Sequence, residues 1–248
     1  MTMNESAGTG EARTAEFLRW AVRPVEGGEA FLPAWLRPHR GEQRWAVVAF
    51  VLGAIVLQWV LPDEFVLRPR TVVPALELVL CVILLVWNPG PLTEHRPWLR
   101  RLSLAVVGLL ALTNLISTVL LIHVIVSRGV ASPVRLLASG AAIWVTNVIV
   151  YSLWYWEFDR GGPAARARAD RHTPDFLFVQ MTDDRLDPQW KARFLDYLYL
   201  SFTNATAFSP TDTLPLSRWA KLLMMSQSAV SLVIVGLVAA RAVNVLPS

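Results

Sequence analysis

The 248-residue chain has little charge and almost no cysteine. Charged residues make up 17% of it, whereas about 25% is usual for a soluble domain. The single cysteine, Cys81, excludes an intramolecular disulfide and any cysteine-based metal site. The first 40 residues lack the apolar stretch that a signal peptide requires, so no cleavable signal is expected.

Catalytic motifs are also missing. The chain contains no Gly-x-Ser-x-Gly elbow, no His-Glu-x-x-His pair and no glycine-rich phosphate loop. Its four histidines are scattered, and three of them lie in loops between the apolar runs. These absences argue against an enzyme, and we expect no cofactor and no metal. The net charge of +4 comes from basic residues beside apolar runs, so nucleic acid is not an expected partner.

Long apolar runs dominate what is present. Hydrophobic residues make up 54% of the chain, and the mean hydropathy is +0.43. Five runs approach the length of a bilayer span: Trp45–Leu61, Val72–Trp87, Leu102–Val126, Val134–Trp156 and Trp219–Leu246. The pattern predicts an all-α polytopic membrane helix bundle with the lipid bilayer as its partner. We expect about five transmembrane helices, plus a short re-entrant or interfacial helix before the last one.

Composition divides the chain into four regions. Residues 1–42 are predicted to be a disordered tail followed by an interfacial amphipathic segment. Residues 43–158 are predicted to form a four-helix membrane bundle, and residues 159–189 a polar cytoplasmic-side loop with an extended piece at 174–178. Residues 190–248 are predicted to hold the short helix, a polar turn and the last transmembrane helix.

Positive charge indicates the orientation. Six arginines precede the first apolar run, three lie at 96–101, and seven lysines and arginines lie between 160 and 193. The two other loops carry two arginines each. Basic residues concentrate on the cytoplasmic side, so we expect a multi-pass plasma-membrane protein with a cytoplasmic N-terminus.

The stretch Phe194–Asp212 is the most unusual part of the chain. Aromatic and aliphatic residues recur at helical spacing from Trp190 to Phe202, followed by a polar turn. A helix of about 14 residues is ~20 Å long, too short to cross the hydrocarbon core. Six residues near its end could present oxygen atoms to a cation: Thr203, Asn204, Thr206, Ser209, Thr211 and Asp212.

Polar residues inside the apolar runs are the second set of candidates. Glu77 lies five positions into its run, where a charged and unpaired group is costly, so it is a candidate ion or proton ligand. A carboxylate close enough to the interface to reach water is the alternative interpretation. Asn114 and Asn147 lie in the middle of their runs, and their type is typical of residues that join membrane helices by hydrogen bonds.

A short helix, a threonine-rich turn, an acidic residue and then a helix rich in small residues resemble the pore module of potassium-type channels. Leu200–Thr206 is similar to the end of such a pore helix. That family's filter uses a Thr-x-Gly-Tyr-Gly-Asp run, whereas Thr206–Asp212 has no glycine and one proline. The resemblance therefore concerns the order of the parts.

The C-terminal part, roughly residues 140–246, also resembles a family of uncharacterised bacterial integral membrane proteins, a domain of unknown function. Four features carry this resemblance: Trp154-Tyr-Trp, Gly161-Gly162, Asp196-Tyr-Leu-Tyr-Leu-Ser-Phe-Thr203 and Thr211-Asp212. The resemblance implies a membrane bundle and no settled activity.

Three functional hypotheses follow. The first is a channel-like protein for a monovalent cation, assembled as a homo-oligomer around copies of residues 194–240. The second is a non-transporting structural membrane protein in which Asp212 or Thr213 starts the last helix, with Pro215 in its first turn. The third is a secondary carrier that uses Glu77, with Asn114 or Asn147, as an intramembrane site.

Overall fold

The computed structural model describes residues 32–87, 96–127, 132–183, 185–206 and 212–245. The chain divides into two units, and the elements below all belong to the second, Ala34–Ser248. Its α-helices are α1 Arg44–Val60, α2 Val72–Trp87, α3 Pro97–Ser127, α4 Pro133–Phe158, α5 Pro163–Ala167, α6 Phe194–Ala205 and α7 Arg218–Val245. The structure is 74% helical, which confirms the all-α class.

Three helices in the described ranges are long and apolar enough to cross a membrane. They cover Pro97–Ser127, Val134–Gly161 and Arg218–Arg241, and 18-residue stretches within them have mean hydropathies of 2.3, 1.7 and 2.1. They mark the chain as a membrane protein. Helices α1 and α2 are also apolar, but they have only 17 and 16 residues.

Two helices begin four or five residues from their predicted starts. Helix α3 begins at Pro97 rather than Leu102, because proline suits the first turn and the following arginines are good helix formers. Helix α6 begins at Phe194 rather than Trp190. The Asp196 carboxylate accepts a hydrogen bond from the Arg193 N–H at 2.7 Å, which caps the helix at that point.

The only strands in the described residues form a small antiparallel pair beside the helices. Strand β1 is Phe176–Phe178 and strand β2 is Thr213–Pro215, with Leu177 opposite Leu214. The extended piece expected at 174–178 is thus confirmed for 176–178. The prediction that Asp212 or Thr213 starts the last helix is wrong, because residues 213–215 pair with β1 and α7 begins only at Arg218.

Residues 34–42 are held by the bundle more tightly than an interfacial segment requires. Ala34 and Leu36 are buried, and the His39 N–H donates to the Ala167 carbonyl at 2.8 Å. The His39 ring also donates from Nδ1 to that carbonyl at 3.2 Å, while burial lowers the pKa of this histidine. Residues 1–31, which include the predicted disordered tail, lie outside the described residues.

Helices α6 and α7 both run antiparallel to α4. The Phe194 ring lies 6.1 Å from that of Trp156, whereas the Phe202 ring lies 5.8 Å from that of Trp144, three turns earlier on α4. Trp219 at the start of α7 lies 5.5 Å from Phe158 at the end of α4. Therefore α6 and α7 start at the same end of the bundle, and the chain must return to that end between them.

Near the start of α4 and the end of α7, the close approach of these two helices depends on a glycine. A Cβ at Gly140 would lie 2.7 Å from a methyl carbon of Val238. Small residues permit such contacts between membrane helices.

Candidate functional site

Gln227 on α7 is the centre of a buried hydrogen-bond network that anchors α6. Its Oε1 accepts from the Tyr155 hydroxyl at 2.6 Å and from Asn204 Nδ2 at 2.8 Å. Its Nε2 donates to the Ser201 hydroxyl at 2.7 Å. Asn204 Oδ1 in turn accepts from the Ser228 hydroxyl at 3.1 Å. Every amide atom of Gln227 and Asn204 is therefore bonded within the chain's own bundle.

The predicted oxygen-bearing residues do not form one cluster. Asn204 faces the bundle interior, whereas the Thr203 and Thr206 hydroxyls donate to carbonyls of their own helix, those of Tyr199 and Thr203, both at 2.9 Å. The side chain of Asp212 is hydrogen-bonded to the Tyr199 hydroxyl. Ser209 and Thr211 lie outside the described residues.

The outer face of α6 is largely apolar and exposed in the single chain. Leu195, Tyr199 and Phe202 share this face and are 49–68% exposed. The helix therefore turns Ser201 and Asn204 toward its own bundle and these three large side chains outward. In a membrane such a face contacts lipid or another protein.

Asn114 and Asn147 join three helices. Asn114 Nδ2 donates to Asn147 Oδ1 at 3.3 Å, and Asn147 Nδ2 donates to the Ser231 hydroxyl at 3.0 Å. This chain of bonds connects α3, α4 and α7. It borders a cavity of about 200 Å³ that is otherwise lined by apolar and aromatic side chains.

Glu77 lies in a separate polar cluster. Its Oε1 accepts from Gln58 Nε2 at 3.4 Å and from the Thr113 hydroxyl at 3.2 Å, which places it between α1 and α3. Thr113 and Asn114 are neighbours on α3, yet Glu77 shares no hydrogen bond with either asparagine in the described structure. The three intramembrane candidates thus form two clusters rather than one site.

A third polar cluster, at the end of α4, was not predicted from the sequence. Asp159 accepts from the Tyr197 hydroxyl at 2.6 Å and from the Asp175 N–H at 2.9 Å. Arg166 lies over the Tyr197 ring, 5.0 Å from its centroid, and donates to the Asp159 carbonyl at 2.9 Å. The signal in the sequence was the abrupt run of charges and glycines directly after an apolar segment, Glu157–Gly162.

Glu42 and Asp175 extend this cluster to the neighbouring segments. The Glu42 carboxylate accepts from Trp156 Nε1 at 2.8 Å and from the Phe194 N–H at 2.7 Å. The Asp175 carboxylate accepts from Trp219 Nε1 at 2.8 Å. The cluster therefore fixes the starts of α6 and α7 against the end of α4.

Neither family models nor curated proteins nor solved structures provide a match to this chain. Within the described ranges no group of three or more histidine, cysteine, aspartate or glutamate residues is arranged to hold a metal ion. The site must therefore be interpreted from its own geometry.

We predict that Gln227→Leu will loosen α6 from the bundle. The substitution removes the acceptor of the buried Tyr155 hydroxyl, and each buried group left unpaired costs about 1–3 kcal/mol. The transition temperature of the purified protein in detergent should fall. Ser226→Ala, one position earlier, removes only an exposed hydrogen bond to the Tyr151 hydroxyl and should lower it much less. Adding Tyr155→Phe to Gln227→Leu should restore part of the loss, and an additive double variant would contradict the network.

Proposed function

We propose that the chain is a subunit of a homo-oligomeric, channel-like membrane protein in which α4, α6 and α7 form a pore-loop-like module for a monovalent cation. One observation carries the proposal. Helix α6 has 12 residues, about 18 Å, and the chain returns to the end of the bundle from which α6 starts before α7 begins. A segment that enters and leaves on the same side is the arrangement that pore loops use.

The exposed faces support assembly from several copies. One short loop cannot enclose a pore, so symmetry-related copies are required. The outer face of α6 and three large residues of α7, Leu222, Met225 and Leu232, are exposed in the single chain. Copies that meet along α6 and α7 would cover these faces and bring the turns after α6 around a common axis.

The last turn of α6 and the segment that follows it then have different roles. Asn204, with all its amide atoms bonded inside, serves as an anchor for the helix. The residues that contact the ion are then those of the following turn: Thr206, Ser209, Thr211 and Asp212. Backbone that is not helical is tolerated at membrane depth where it lines a cavity, which suits this turn.

The proposal includes a topology of five spans in the plasma membrane. Helices α1 and α2 are about 25 and 24 Å long, close to the hydrocarbon thickness of ~30 Å. With an N-terminus in the cytoplasm, the loop after α4 and the mouth of the re-entrant segment are cytoplasmic. The seven basic residues between 160 and 193 support that side.

The test is cation flux through liposomes that contain the purified protein. We expect flux above that of empty vesicles and a reduction of about tenfold in Asp212→Asn at low ionic strength, because a carboxylate at the mouth concentrates cations. The reduction should shrink as salt screens the charge. Asp183→Asn, which changes an exposed carboxylate in the preceding loop, should conduct like the wild type. A flux equal to that of empty vesicles would contradict the proposal.

A second candidate is a non-transporting structural membrane protein. The observation in its favour is that Asn204, Thr203 and Thr206 all bond within their own chain. On this hypothesis the purified protein is monomeric in detergent and silent in the flux assay. The oligomeric state and the flux measured on one preparation therefore separate the two candidates.

A further inference from the structure

Glu77 is enclosed by neutral groups. Its side chain has no exposed surface and lies where α1, α2 and α3 meet. Its Oε1 atom accepts from Gln58 Nε2 at 3.4 Å. The Thr113 hydroxyl is 3.2 Å from the same oxygen, but it lies nearer to the Leu109 carbonyl, at 2.7 Å. The Thr113 hydroxyl has only one hydrogen, which therefore donates to the Leu109 carbonyl rather than to Glu77.

Two oxygen atoms in this cluster lack a donor. Glu77 Oε2 and Gln58 Oε1 are both buried, and neither has a hydrogen-bond partner in the described structure. Both atoms are acceptors unless a proton is added. A buried acceptor without a donor is costly, so two of them on residues already in contact require an explanation.

The surrounding elements provide no positive charge that pairs with Glu77. Their titratable and charged groups are Arg44 on α1, Cys81 on α2, Arg100, Arg101 and His123 on α3, and Asp63, Glu64, Arg68 and Arg70 between α1 and α2. Arg44 donates to the Leu84 carbonyl, about two turns beyond Glu77 on α2. Arg70 pairs with Asp63 at 2.7 Å and is partly exposed.

We propose that Glu77 is a proton-binding site, occupied at neutral pH, in which the neutral acid and the Gln58 amide form a cyclic pair. The hydroxyl on Glu77 Oε2 donates to Gln58 Oε1, while Gln58 Nε2 donates back to Glu77 Oε1. One added proton thus provides the donor that both oxygens lack. A metal cation would instead need several more oxygen ligands than these two side chains offer. The inference does not depend on the proposed channel function.

The pair predicts how three variants differ. In Glu77→Gln the new amide N–H takes the place of the acid O–H, so the pair is kept and its dependence on pH is lost. Glu77→Ala leaves both ends of the Gln58 amide without a partner. Glu64→Gln changes an exposed carboxylate in the neighbouring connection and is the matched control.

The sign of the pH effect follows from linkage. The folded state holds a proton on Glu77 that the unfolded chain has released at neutral pH. A rise in pH therefore favours unfolding, and this part of the stabilisation is lost. Glu77→Gln should remove this part of the pH dependence, whereas Glu64→Gln should leave it in place.

Infrared spectroscopy of the full-length protein in liposomes tests the proposal directly. A protonated carboxylic acid has a carbonyl stretching band separate from those of carboxylates and amides. We expect such a band at neutral pH in the wild type and in Glu64→Gln, and its loss in Glu77→Gln. We also expect Glu77→Gln to match the wild-type transition temperature at neutral pH, with Glu77→Ala well below it. No band attributable to Glu77, or a Glu77→Gln variant as unstable as Glu77→Ala at every pH, would overturn the proposal.

Discussion

Replacement of Gly162 by alanine is expected to destabilise the protein more than any other single methyl addition described above. Gly162 has φ +97° and ψ 174°, a conformation that is essentially restricted to glycine and costs other residues about 1–3 kcal/mol. A Cβ there would also lie 2.8 Å from the Glu157 carbonyl oxygen. That oxygen belongs to the last turn of α4 and cannot move away without disturbing the helix. The measurement is the transition temperature in detergent, followed by size-exclusion chromatography.

Gly53 in α1 provides the control for this prediction. A Cβ at Gly53 meets no atom within 4 Å, and alanine is favoured over glycine in a helix by about 0.5–1 kcal/mol. Gly53→Ala should therefore keep or raise the transition temperature. If Gly162→Ala behaves in the same way as Gly53→Ala, the backbone described for the turn after α4 is wrong.

Asp159→Ala is the second change with a large expected effect. The carboxylate is fully buried, and its removal leaves the Tyr197 hydroxyl and the Asp175 N–H without their acceptor. Each buried donor left without an acceptor costs about 1–3 kcal/mol, so we expect a much lower transition temperature or loss of folded protein.

Two variants test whether loss of the buried Asp159 carboxylate causes the lower transition temperature. Tyr197→Phe removes only one of its hydrogen bonds and should cost about 1–3 kcal/mol, less than Asp159→Ala, which leaves both donors unpaired. Asp183→Ala removes an exposed carboxylate paired with Arg185 in the loop that follows the same cluster, and should leave the transition temperature unchanged. Equal losses in Asp159→Ala and Asp183→Ala would contradict the assignment.

The helices could be predicted well from the sequence because membrane helices are long, nearly uninterrupted apolar runs. Helix α2 has the predicted bounds, Val72–Trp87, and the short helix before α7 was expected from its spacing. Boundaries set by a helix-starting proline, a polar cap or strand pairing were harder to place. Asp196 fixes the start of α6, and pairing with Phe176–Phe178 keeps Thr213–Pro215 out of α7.

The direction of each polar side chain was harder to predict. Asn204 was expected to offer its oxygen to an ion, yet its face turns inward while Leu195 and Phe202 face outward. In water the apolar face would be buried, but in a membrane either face can contact the surroundings. The Asp159 cluster was missed because Tyr197 lies 38 residues from its partner in the chain, and no local pattern connects them.

The direction of α6 has an electrostatic consequence of its own. The peptide dipoles of a helix sum to about half a negative charge at its carboxyl end. In α6 that end, at Ala205 and Thr206, is the one that lies about 18 Å along the bundle from the starts of α6 and α7. In the proposed re-entrant arrangement this end lies inside the hydrocarbon layer, where water is scarce and the partial charge is weakly screened. The backbone of α6 alone therefore favours a cation over an anion beside Thr206, before any side chain is considered.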